Sequence, residues 1–124
     1  MHFTQREQQA LREAGVAQET IEAASAAVVE ATADAAGALE AFFEGRETVY
    51  SDMDLAHSSS DIQEHTVAYL DLYTHADDIR GYLRFDSWGV PVEGGRVLSG
   101  DVVELSLGPT VDARIRFGAT EDAV

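Results

Sequence analysis

The side chains best suited to chemistry fall in the middle of the chain. Asp52, Asp54 and His57 lie close together, and His65, Asp71, His75, Asp77 and Asp78 follow. Asp-x-Asp followed by a histidine offers hard oxygen donors and an imidazole nitrogen, a donor set that suits a divalent metal. On a strand, Asp52 and Asp54 share one face, and His75 joins them if its strand is a neighbour. The same residues could form an acid–base pair, since two close carboxyls push their pKa values apart. The competing explanation is compositional. Asp and Glu make up 23 of the 124 residues, so two aspartates near a histidine arise easily by chance.

A second constellation is basic. Arg80, Arg84, Arg114 and Arg116 alternate with apolar residues, so each lies on the polar face of its strand. Tyr82 sits between the first two, and Tyr69 and Tyr73 lie on the preceding segment with Asp71 and His75. Arginine presents a planar donor fork, so such a face is a candidate for an anionic ligand or an acidic partner segment. The alternative is cross-strand pairing of these arginines with Asp71, Asp86, Glu104 and Asp112. His65 and His75 are an even number of residues apart, which on a regular strand points both the same way. Trp88 is either an interface anchor or a lid on one end of the core. Phe42 and Phe43, adjacent on one helix, overfill a narrow seam, so one is expected under the sheet and the other against a partner chain.

Those residues need elements to hold them. Thr4 with Glu7 makes a capping box for a short helix that Gly15 ends. A long helix follows over about 18–44, where Ile21, Val28, Ala35 and Phe42 recur every seven residues. Gly37 within it marks a close contact or a bend. Beyond Gly45 the period changes to two, with the serine-rich 58–61 as a loop. Residues 66–75 fit either a helical face or a strand; strand is preferred because 79–85 mirrors them, with Ile79, Gly81, Leu83 and Phe85 on one side. Ala76-Asp77-Asp78 then makes a hairpin connection. Gly89, Pro91, Gly94 and Gly95 read as turns around Val90 and Val92. Val102–Leu107 and Val111–Phe117 form the two clearest strands, and residues after Gly118 read as a frayed acidic tail. The layout is therefore α+β: a short helix and a long N-terminal helix packed on a twisted antiparallel sheet of four to six strands. One domain spans 1–124, with 1–45 helical, 46–118 strands and 119–124 the tail.

Composition bounds the function. No cysteine is present, which removes disulfides, thiolate catalysis and Cys-containing zinc sites. The net charge is −15, and all eight basic residues are arginine. Such a surface repels itself in dilute buffer, whereas at molar salt the Debye length falls to roughly 3 Å and the penalty fades. Duplex nucleic acid requires a basic surface to neutralise phosphates, so no nucleic-acid partner is expected. No signal-peptide pattern opens the chain and no stretch is apolar enough for a membrane span, so a cytoplasmic protein is expected. There is no Gly-x-Ser-x-Gly elbow, no phosphate loop and no Gly-x-Gly-x-x-Gly, and nothing points to a cofactor.

The stretch Tyr82-Leu83-Arg84-Phe85-Asp86-Ser87-Trp88-Gly89, with Val102 to Phe117, resembles a small uncharacterised acidic protein family of haloarchaea. That resemblance implies no activity and transfers no catalytic residue. The layout is also similar to small helix-plus-curved-sheet folds that enclose a ligand pocket. Three functional classes follow from the residues: a non-enzymatic interaction module, homodimeric or docked on another protein; a ligand-binding or enzymatic pocket between sheet and helix; and a divalent-metal protein.

Overall fold

A computed structural model describes residues 1–54, 61–108 and 113–124. The first helix, α1 (Gln5–Glu13), starts as its sequence requires. Thr4 Oγ1 accepts from the Glu7 amide at 3.1 Å, and Glu7 accepts from the Thr4 amide at 2.9 Å. These satisfy two of the orphan donors of the first turn. Gly15, at φ 95°, then turns the chain back. Helix α1 buries no residue of its own and lies on the N-terminal half of α2 (Gln18–Glu44). The His2 amide fastens this end by donating to Ser25 Oγ at 2.6 Å.

Helix α2 is continuous through Gly37, which is exposed and near no other element. Its buried line runs Ile21, Ser25, Ala36, Leu39, Phe42 and Phe43, with Val28, Thr32 and Ala35 half-buried. A strict seven-residue repeat drifts about 20° per heptad on a straight helix, so the seam slides from the expected residues toward Ala36 and Leu39.

Six antiparallel strands follow: β1 (Thr48–Ser51), β2 (Gln63–His75), β3 (Asp78–Phe85), β4 (Gly89–Ser99), β5 (Val102–Leu107) and β6 (Arg114–Gly118). Each pairs with the next, and β6 returns to β1 through Ser51↔Phe117 and Tyr50↔Gly118, closing a barrel. The α+β layout and antiparallel strands expected from the sequence are present. Leu70, Ile79, Leu83, Phe85, Val92, Val103, Leu105 and Phe117 form one apolar core with Leu39, Phe42 and Phe43 of α2. The helix packs on β2, β4 and β3, closely enough that Gly95 must lack a side chain. A Cβ there would come within 2.9 Å of Leu39 Cδ1 and 2.7 Å of Leu105 Cδ2.

Three features depart from the sequence reading. The glycine-rich 89–99 segment is a strand, with Gly94 and Gly95 paired to Ser106 and Leu105 and register shifts between Val92 and Gly94 and between Val97 and Ser99. Strand β2 shifts register between Val67 and Tyr69, which inverts its facing: His65 and Val67 point inward before the shift, Leu70 and Leu72 after it. His65 is consequently buried and His75 exposed, so the two histidines are not a pair. At the chain end, where an acidic tail was expected, Glu121–Ala123 makes a 3₁₀ turn, and Ala123 and Val124 lie against Gly118.

Candidate functional site

Strands β1, β2 and β3 carry polar groups on both faces, and the two faces differ in kind. Inside, Ser51 (0 % exposed) and His65 (6 %) meet with Oγ and Nε2 2.6 Å apart. The imidazole stacks on Phe85 at 4.7 Å and lies 5.9 Å from Phe117. Burial pushes its pKa below the ordinary histidine value, because the apolar surroundings disfavour the imidazolium. The ring is therefore neutral near pH 7. Ser51 Oγ also accepts from the Met53 amide at 3.3 Å, so one hydroxyl joins the imidazole to the backbone after β1. A serine beside a histidine is the arrangement nucleophilic catalysis uses. Here the hydroxyl is sealed from solvent, and the pair satisfies polar groups inside the barrel. Nothing in the sequence reading singled out Ser51, since a lone serine fourteen residues from a histidine has no motif.

Outside, the register of β2 and β3 sets Tyr69 opposite Arg84, Asp71 opposite Tyr82 and Tyr73 opposite Arg80. Tyr69, Tyr73 and Tyr82 are 47, 65 and 37 % exposed. Tyr82 lies over Gly89 of β4, where any Cβ would collide with its ring. Arg80 is neutralised: its guanidinium pairs with Glu93 of β4 and approaches Asp78 at 3.9 Å. Arg84 has no such partner. Among the described residues no carboxylate pairs with Arg84, and Asp71, a diagonal neighbour on the same face, is also unpaired.

The other two candidate arginines lie elsewhere. Arg114 and Arg116 are on β6, with β4 and β5 between them and β3, because the sheet curls into a barrel. Arg116 stands opposite Glu104, but Glu104 takes Arg96 instead, at 3.0 Å. The four arginines thus form two separate surfaces, and the expected single face is corrected accordingly. His75 sits exposed at the β2–β3 hairpin, opposite Asp78.

Of the metal candidates, His57 lies outside the described residues. Asp52 and Asp54 are exposed and follow the end of β1, and Asp52 has another role. Its Oδ1 accepts the Arg116 amide at 2.9 Å, extending the β1–β6 pairing. No cluster of three metal-ligating side chains occurs among the described residues.

The interface expectation for Phe42 and Phe43 is overturned, since both are buried. The sheet wraps a wide arc of the helix end, wide enough for two adjacent side chains. Their rings meet edge to face at 5.0 Å, Phe43 continues onto Phe117 at 5.5 Å, and Arg46 covers Phe42 at 4.4 Å. Trp88 rests on Phe85 at 4.6 Å and closes one end of the core while staying 37 % exposed. A recess of about 490 Å³ opens between the end of α2 and β2, lined by Glu40, Phe43, Glu44, Arg46, Val67 and Leu70. It holds neither Asp71, His75 nor the β3 arginines, so the expected polar pocket between sheet and helix does not bring those residues together.

Charge is divided unevenly along the chain. Residues 1–78 carry three arginines and sixteen carboxylates, whereas residues 79–118 carry five of each. Residues 79–118 are thus balanced in charge in a strongly acidic molecule. Among the described residues, no helix is long and apolar enough to cross a membrane. Residues 1–122 match the family of unknown function DUF7532, and the chain belongs to that family. No curated protein and no solved structure matches it.

Proposed function

We propose that this chain is a non-enzymatic protein-interaction module of a halophilic cytoplasm, docking its partner on the outer face of β2 and β3. The observation that carries this reading is Arg84, unpaired among three exposed tyrosines in a protein with 23 carboxylates. Tyrosine and arginine are the side chains that most often anchor protein interfaces, because each combines a large apolar body with a polar end. The barrel interior accords with the same reading, since Leu83, Phe85, Leu105 and Phe117 belong to one apolar core there. The halophilic setting rests on the −15 charge and the absence of lysine. Molar salt screens that charge, so two such molecules can meet.

Site-directed photo-crosslinking at molar KCl tests it. A photoreactive side chain at position 69, 73 or 82 is expected to give discrete protein adducts. The same group at exposed Gln9 of α1 is expected to give none. Equal labelling from all four positions, or none from the sheet, overturns the reading. Adducts that a nuclease removes also overturn it.

A further inference from the structure

We infer that the partner covering this face is a second copy of this chain, related by a two-fold axis. The inference rests on the docking reading above and names its occupant. The argument is the geometry of one rectangle of side chains. Tyr69 and Asp71 on β2 stand opposite Arg84 and Tyr82 on β3, so arginine and aspartate occupy one diagonal and the two tyrosines the other. Two residues along a strand span about 7 Å, and neighbouring strands lie about 4.8 Å apart.

A two-fold interface needs each residue's contact to be returned: if one site meets a second, the second meets the first. Consider an axis lying in the interface and bisecting the Arg84–Asp71 diagonal at right angles. It carries each Arg84 onto the other copy's Asp71, and each Asp71 onto the other copy's Arg84. On a rectangle of these proportions that axis runs close to Tyr69 and Tyr82, so each tyrosine meets its own counterpart. The strands of the two copies then cross at about 70°, within the orthogonal class of sheet-on-sheet packing. The face is thus complementary to itself in charge and in aromatic content.

The surrounding charges agree. Arg80 is already neutralised by Glu93 and demands nothing from across the interface. The four residues of the rectangle themselves carry one arginine and one carboxylate, so the patch that meets its copy has no net charge in a molecule of charge −15. A purely acidic partner would be repelled by Asp71 and a purely basic one by Arg84, whereas a second copy brings both charges in the complementary arrangement.

Light scattering after size-exclusion chromatography at molar KCl gives the test, with circular dichroism confirming that each variant is folded. The wild-type chain is expected at twice its 13.4 kDa mass. Arg84→Asp and Asp71→Arg each put like charges face to face and are expected to elute as monomers, with the dimer weakened at least tenfold. Mixing the two single variants sets the aspartate introduced in one against the arginine introduced in the other. The native Asp71 of the first then meets the native Arg84 of the second, so a heterodimer forms. The double variant Asp71→Arg/Arg84→Asp restores the homodimer. This rescue separates a reciprocal contact from a merely structural role. A monomeric wild type, or single variants that stay dimeric, overturns the inference. If the wild type is monomeric while crosslinks from 69 or 82 still give protein adducts of another mass, the second copy is refuted and the docking face stands. If both signals are absent, both readings fail.

Discussion

The two faces of the β2–β3 region treat polar groups in opposite ways. On the inner face, Ser51, His65 and the Met53 amide satisfy one another within an aromatic shell of Phe85 and Phe117. On the outer face, Asp71 and Arg84 are close enough in register to pair and do not. Burial explains the difference. A polar group without a partner costs about 1–3 kcal/mol in an interior, whereas water satisfies it at the surface for almost nothing. The inner polar groups are therefore constrained by folding, and the outer ones remain available for binding.

The comparison is broken most forcefully from inside. Phe117→Ala removes a fully buried ring that touches Phe43, Phe85 and His65. It is expected to cost about 3–5 kcal/mol, read from denaturant unfolding at molar KCl. A loss below about 1 kcal/mol would mean that the barrel interior is not the cooperative core.

Ser51→Ala is expected to cost less, about 1–3 kcal/mol, because it strands His65 Nε2 and the Met53 amide without opening a large cavity. His65 also sets a pH dependence. Its folded pKa lies below the unfolded value, so between the two the unfolded chain binds more protons. The His65 contribution is complete above an unfolded pKa of about 6.5 and declines as pH falls toward the folded value, by at most about 1.4 kcal/mol per pH unit. Unfolding curves of wild type and His65→Phe between about pH 7.5 and 5 check this. The wild type should lose stability across that window more steeply than the variant, and parallel profiles would show that the ring is not held neutral.

Much of the fold was legible because its patterns are local. Alanine content and helical spacing located α2 to its ends, and the alternation Ile79, Leu83, Phe85 against Arg80, Tyr82, Arg84 assigned both faces of β3. The misreadings of β2 and β4 share one cause, which is that a bulge inverts or interrupts a period of two. One bulge at Val67/Tyr69 turned His65 inward and left His75 outside, and those near Gly94 disguised β4 as a set of turns. Without β4, Glu93 could not be recognised as the partner of Arg80, and the arginines looked alike. Ser51 was illegible for another reason: its meaning lies wholly in a contact across strands.

The smallest expected effect sharpens the contrast most, because it compares two arginines on one strand, Arg80 and Arg84, that share a face. Arg80→Gln breaks the pair with Glu93, partly screened from solvent, and is expected to cost about 0.5–1 kcal/mol. Arg84→Gln breaks no ion pair among the described residues, so its unfolding free energy should match the wild type within about 0.5 kcal/mol. Both are to be measured at protein concentrations low enough to hold the chain monomeric, since self-association would add its own stabilisation to the wild type. A larger loss at Arg84 than at Arg80 would assign that guanidinium to the fold, and the outer face would then have no unpaired arginine to offer a partner.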